Sequence, residues 1–342
     1  MKAGLVGFPQ SGKTALFNAL TAQHRAGDAH VHLGAIKVPD TRVDALAALY
    51  KPRTVTHAEV VFVDLPGARG NGVDVEALRQ FADVEALCLV LRGFTGLDGA
   101  APDPLRELAN FDAELVLADL SVVERRLDRL RKEHAGRTGS EYHELENLHG
   151  HLEAGKPLRT LSWSDAEQRE LAHFGFLSRR PMLATLNVGE ADATRPLPAQ
   201  LEAELLSRGA EGLVLCATLE AELADLDPAE QPAFLESLGL REPARSRFVS
   251  ASYHLLGLVS FFTVGEDEVR AWTIHRGDKA PRAAGRIHSD LERGFVRAEV
   301  THYDAFIAAR GELKAREKAT ARLEGKDYVV RDGDILHVRA AP

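Results

Sequence analysis

Eight residues constrain this chain more than any others. Gly7-Phe8-Pro9-Gln10-Ser11-Gly12-Lys13-Thr14 follow directly on the apolar run Ala3-Gly4-Leu5-Val6 and precede Leu16, Phe17 and Leu20, which recur at helical spacing. A glycine-bounded loop between a buried strand and a helix lets backbone N–H groups converge on phosphate oxygens at the positive end of the helix dipole. In this pattern the lysine ammonium reaches the outer phosphates and the threonine hydroxyl holds Mg²⁺. Gly7, Pro9, Gln10, Ser11, Gly12, Lys13, Thr14 and Ala15 are the expected nucleotide-contacting residues of this segment, with Lys13 and Thr14 as its working side chains.

Two later segments complete a nucleotide site. The apolar strand Val60-Val61-Phe62-Val63 ends in Asp64-Leu65-Pro66-Gly67, an Asp-x-x-Gly arrangement. Its carboxylate suits the neighbourhood of Mg²⁺ and its glycine N–H suits the γ-phosphate, so loss of that phosphate would release the following loop. Thr14 and Asp64 are thus the expected metal-contacting pair, and Asp64 and Gly67 join Lys13 and Thr14 as expected catalytic positions. Further on, Pro181-Met182-Leu183-Ala184-Thr185-Leu186 delivers Asn187-Val188-Gly189-Glu190, where a base would be read. Guanine-specific proteins of this kind carry Asn-Lys-x-Asp, whose aspartate accepts from the two guanine donors that adenine lacks. Val188 and Glu190 replace that lysine and aspartate, which weakens rejection of adenine and makes ATP the expected ligand, with GTP as the alternative.

Composition narrows the setting. The chain has 342 residues with 45% hydrophobic content, enough for two or three domains with real cores. No run approaches the ~20 apolar residues of a membrane span, and the first strand begins at Lys2, so a cytoplasmic protein without membrane attachment is expected. Cys88 and Cys216 each lie in apolar runs and read as buried free thiols. The net charge of -9 argues against a protein that coats DNA or RNA by bulk electrostatics, while a local basic surface stays open.

A longer set of phrases resembles the YchF or Obg-like ATPase family. It includes the phosphate loop, Asp64 to Gly67, Ala113 to Leu120, His151 to Pro157, Asn187 to Glu190 and Leu219 to Leu226. The C-terminal phrases Phe261-Phe262-Thr263-Val264-Gly265, Val269 to Ile274, Ala284 to His288 and Leu323 to Val330 are the most specific to it. The resemblance implies an α/β fold: a Ras-like P-loop nucleoside triphosphatase domain with an inserted antiparallel helical hairpin and a C-terminal β-grasp (TGS) domain. The expected borders are 1–121 and 181–252 for the nucleotide domain, 122–180 for the hairpin and 253–342 for the TGS-like domain.

The residues support these parts. Val123, Leu127 and Leu130 make a narrow apolar seam amid charged neighbours, Gly136 to Gly139 offers a reversal, and Tyr142, Leu145 and Leu152 can line a returning helix. Tyr328-Val329-Val330 and Ile335 to Val338 read as two strands of a hairpin turned by Asp332-Gly333-Asp334. By resemblance the partner is a ribosome or ribosomal subunit, met through the TGS domain and hairpin, in translation or stress response, and the chain is a monomer.

Several positions depart from the family. Gln10-Ser11 stand where Asn-Val is usual, and Asp28-Ala29-His30-Val31-His32 replace a phrase that carries the Mg²⁺-binding switch threonine. The loop after Gly67 is short, with a helix expected near Val75, and Ala68 occupies the place of a water-orienting glutamine. His30 and His32 are candidates for the γ-phosphate or a metal, or are simply solvated. Binding and turnover therefore separate, because losing a transition-state group can cost ~10³ to 10⁵ in rate. Two readings follow: a slow ATP-preferring switch, or a nucleotide-binding adaptor of the same fold without hydrolysis.

Overall fold

The computed structural model describes residues 2–21, 31–65, 78–79, 83–97, 99–132, 139–310 and 321–341. Gly67, Ala68, His30, the helix expected near Val75 and most of the reversal at Gly136 to Gly139 lie outside them. In chain order the first elements are β1 (Lys2–Gly7), α1 (Lys13–Thr21), β2 (His32–Lys37), α2 (Thr41–Tyr50), β3 (Thr54–Thr56), β4 (Glu59–Asp64) and β5 (Val84–Gly93). Next come α3 (Pro104–Lys132), α4 (Ser140–Glu153), α5 (Asp165–Glu170), β6 (Met182–Val188), α6 (Ala199–Ser207), β7 (Ala210–Leu215), α7 (Ala217–Asp225), α8 (Gln231–Ser237) and α9 (Ala244–Leu255). The chain closes with β8 (Leu258–Thr263), β9 (Glu268–His275), α10 (Ala280–Ile287), α11 (Ser289–Arg293), β10 (Phe295–His302), α12 (Tyr303–Ala309), β11 (Arg322–Glu324) and β12 (Asp334–Ala340).

Two compact units result: Met1–Gly34 with Val61–Phe248, and Ala35–Val60 with Val249–Pro342. The sequence-based borders place 35–60 with the nucleotide domain throughout, whereas this division groups them with the C-terminal residues.

The first sheet runs β2-β4-β1-β5-β6-β7, and β4, β1, β5, β6 and β7 are parallel neighbours. Every residue of β6 is buried, as the continuous apolar runs of a strand covered on both faces require. This is the Ras-like α/β arrangement. The hairpin helices are those the seam anticipates: Val123, Leu127 and Leu130 pack with Leu145, Leu148 and Leu152 in one cluster, and Tyr142 lies against it. Yet α3 starts at Pro104 and crosses residue 121 without a break. Its earlier turns are held by buried acids that periodicity does not reveal. Asp119 accepts from the N–H groups of Leu177 (2.9 Å) and Ser178 (2.7 Å), and Asp112 pairs with Arg159 and, at 3.3 Å, Arg208.

The second unit carries a mixed sheet of β-grasp form, ordered β11-β10-β12-β8-β9-β3. Ala280, Ala283 and Ala284 of α10 pack on Phe261, Ile274, Val300 and Leu336. The turn at Asp332-Gly333 forms, with Gly333 at φ 88° and the Asp334 N–H donating to Arg331 O at 3.1 Å. The expected strand Tyr328 to Val330 does not pair with β12. Its backbone meets Asp278 and Ala280 instead, with an isolated bridge between Val329 and Lys279. Both edges of β12 are already taken, by β10 and β8.

The sixth strand is the unexpected one. β3 pairs in parallel with β9, Thr54 to Thr56 beside Glu268 to Arg270, and Thr56 Oγ1 donates to Glu268 at 2.6 Å. Within the same unit Arg42 of α2 grips Asp332 at 2.7 Å and Asp40 at 2.8 Å, with its guanidinium 5.1 Å from the Phe262 ring centre. Against the cost of burial, Arg42 and the Ser260 N–H hold the Asp332 carboxyl below its ordinary range.

Candidate functional site: a phosphate cradle braced by Asn187

The loop between β1 and α1 takes the shape its sequence anticipates. Ser11 N–H donates to Phe8 O at 3.2 Å, and Leu16 N–H donates to Gly12 O at 2.9 Å, starting the helix. Gly12 adopts φ 85°, and a Cβ there would sit 2.1 Å from Asn187 Nδ2. At Gly7 a Cβ would sit 2.7 Å from Ser11 Oγ and 2.9 Å from Val90 O. Neither position accepts a side chain without displacing its neighbours.

Gly7 to Ala15 and Asp64 line one cleft of about 350 Å³. Pro9 and Gln10 are exposed on its rim, while Ser11 is buried with a hydroxyl that has no partner among the described residues. The Lys13 ammonium contacts the Asp64 carboxylate and donates to Leu65 O at 2.5 Å. A phosphate anion in the cleft competes with those two acceptors for the same charge. Thr14 lines the cleft with Asp64, so a hydroxyl and a carboxylate oxygen are both at hand. That hard-oxygen set suits Mg²⁺, which binds few protein ligands and keeps phosphate oxygens and waters.

Asn187 ties the cradle to the base-reading side. Its Nδ2 donates to Ser11 O at 3.0 Å, and its Oδ1 accepts from the Ala217 N–H at 3.0 Å, both buried. The side chain is thus spent on holding two loops together. Val188 is buried at the end of β6, whereas Glu190 is exposed beyond it. Cys216, Ala217 and Thr218, where β7 gives way to α7, face the same region. Burial, with the Glu190 carboxylate nearby, pushes the Cys216 thiol up. Sequence reasoning takes Cys216 only as a buried thiol. The signal it passes over is position, since Cys216-Ala217 ends an apolar strand as Asn187-Val188 does.

Cys88 and Cys216 are both buried and free. His32 opens β2 with its ring 6.4 Å from that of Phe17. Among the described residues no cluster of three His, Cys, Asp or Glu is arranged to hold a metal, and no helix is long and apolar enough to cross a membrane.

Comparison with known proteins bears on this arrangement. Residues 2–123 match the family described as 50S ribosome-binding GTPase, and residues 258–341 match the YchF GTPase C-terminal family, described as a protein of unknown function (DUF933). The chain is 37% identical over 363 residues to the ribosome-binding ATPase YchF of Bacillus subtilis, covering 99% of each sequence. It is 37% identical over 357 residues to that of Haemophilus influenzae and 36% over 355 to that of Escherichia coli O157:H7, each covering 98% or more of both chains. The solved structure of the Schizosaccharomyces pombe YchF GTPase superposes with a TM-score of 0.87 at 28% identity, covering 99% of this chain and 97% of that one.

Proposed function

The chain belongs to the YchF family, and on that premise we propose that it is a slow, adenine-preferring nucleoside triphosphatase of the cytoplasm that associates with ribosomes. The observation that carries this reading is the convergence of Gly7 to Ala15, Asp64 and Asn187 on one braced cleft. Backbone N–H groups of the loop and the Lys13 ammonium bind the phosphate tail, with Lys13 exchanging the Asp64 carboxylate for β and γ oxygens. Thr14 and Asp64 would hold Mg²⁺, which supplies charge neutralisation at the phosphates. Gly67 would meet the γ-phosphate, and its absence or presence would set the loop that follows.

At the base, Asn187 acts as the brace, leaving Val188 and Glu190 with Cys216 to Thr218 to define the pocket. Without a lysine stem at 188 or an aspartate at 190, the guanine donor pair gains nothing, which supports adenine. A GTP reading has its own support in the names of the Schizosaccharomyces relative and the N-terminal family. The hairpin, 122–180, and the C-terminal residues 253–342 are proposed as the parts that meet the ribosome.

Binding and phosphate release with ATP and GTP, each with Mg²⁺, test the proposal. ATP should bind and release phosphate, and Lys13→Ala should abolish release. Binding without Lys13-dependent release would identify the adaptor instead. A preference for GTP above about tenfold, ~1.4 kcal/mol, would overturn the base assignment. Failure to co-sediment with ribosomes or subunits in any nucleotide state would overturn the partner.

A further inference from the structure

Three arginines line a separate cleft of about 410 Å³ in the first unit. Arg195 follows the turn Glu190–Asp192 that ends the base-reading segment. Arg241 comes two residues after Gly239, whose φ of 70° turns the chain out of α8. Arg247 lies in the first turns of α9, and its Nη2 approaches the Val214 carbonyl of β7 at 3.5 Å. Arg195 is paired with Asp192 at 2.8 Å, but Arg241 and Arg247 form no ion pair among the described residues. The acid nearest in position to Arg247 on this side, Glu220, accepts the N–H groups of Ala244 (2.7 Å) and Arg245 (3.1 Å), so its oxygens are committed elsewhere. Glu242 is the one acid in the wall of the cleft.

Between the guanidinium groups the surface is apolar: Ala193, Pro196, Val214 and Leu240. A cationic rim around an apolar floor is selective. A free inorganic anion uses the rim and leaves the floor wet, whereas an acidic peptide brings carboxylates without a flat ring to cover it. An unstacked nucleotide satisfies both, placing a base on the apolar floor or against a guanidinium plane and its flanking phosphates on the arginines. The volume falls in the range of pockets that hold one small ligand. In a chain of net charge -9, this concentration of cations is a local exception to the overall field.

We propose that this cleft binds single-stranded RNA, one unstacked base on the Val214–Leu240 floor and adjoining phosphates on Arg241 and Arg247. Its place in the cell rests on the ribosome-associated reading, but its chemistry does not, and the two fail separately. The test uses the full chain and a labelled eight-nucleotide single-stranded RNA followed by fluorescence anisotropy across a salt series, with the nucleotide site saturated by ATP. The expected result is binding that exceeds that of the same sequence as a duplex. The double variant Arg241→Ala/Arg247→Ala should weaken it at least tenfold and lower the log–log salt slope by about 1 to 2, one phosphate contact for each arginine. ATP affinity, measured in parallel, should stay at the wild-type value and so certify the fold. RNA affinity unchanged in the double variant, equal affinity for duplex, or equal displacement by polyglutamate would overturn the proposal. Loss of ribosome co-sedimentation with oligonucleotide binding intact would sink the ribosomal reading and leave the cleft standing.

Discussion

Asn187 decides more than its position at a strand end suggests. One amide side chain satisfies a buried carbonyl on the phosphate loop and a buried N–H at the start of α7, so removing it strands both. An unsatisfied buried group costs about 1–3 kcal/mol, and the loop it frees is the one that must stay fixed to bind phosphate. Asn187→Ala should therefore lower the denaturation midpoint and weaken ATP binding at least tenfold. Asn187→Asp, which keeps an acceptor for Ala217 but sets a carboxylate oxygen against Ser11 O, should fail to rescue either. Wild-type affinity in either variant would show that the brace is dispensable. The cradle itself was legible because Gly-x-x-x-x-Gly-Lys-Thr has one strong structural meaning between a strand and a helix. The brace was legible only in part, since the sequence presents Asn187 as a reader of bases and cannot show that both ends of its amide are engaged.

Helices and strands repeat that contrast. The seam of Val123, Leu127 and Leu130 announces the hairpin, because apolar spacing on a charged rod survives in sequence as periodicity. Asp112 and Asp119 announce nothing: each is one acid in a helix rich in charge, and only the fold shows them buried. Tyr328 to Val330 errs the other way, for its β-branched and aromatic residues look like a strand, but both edges of β12 were already filled. The clamp between α2 and the turn at Asp332 gives this scale its prediction. Asp332 titrates below the ~3.9 of an unfolded aspartate, so the folded state holds fewer protons than the unfolded chain in that window. Its contribution to stability is fully present above about pH 5 and is lost as pH falls through the native value. Urea unfolding at stepped pH should show Asp332→Asn less stable near neutrality, with a shallower acid decline than wild type. Parallel acid limbs would remove the clamp from the account.

At the scale of the molecule, the C-terminal sheet is completed by residues from the first sixth of the chain. A fragment beginning at residue 249 lacks β3 and Arg42, which leaves an edge of β9 open and Asp332 without its guanidinium. Such a fragment should melt lower than one in which 35–60 are fused to it through a flexible linker, and it should self-associate through the open edge. Equal melting temperatures with no light scattering would show that the early segment is a passenger. Nothing in Thr54-Val55-Thr56 signals this partnership, because three residues carry too little pattern to specify a sheet whose other strands are made far later. That distance sets a timetable. Thr56 is synthesised 212 residues before the Glu268 it bonds, an interval of ~10 to 40 s at ~5–20 residues per second. Through that interval the nascent chain carries a strand with no mate, and a segment only three residues long with two threonines is a poor template for neighbouring chains on the same messenger.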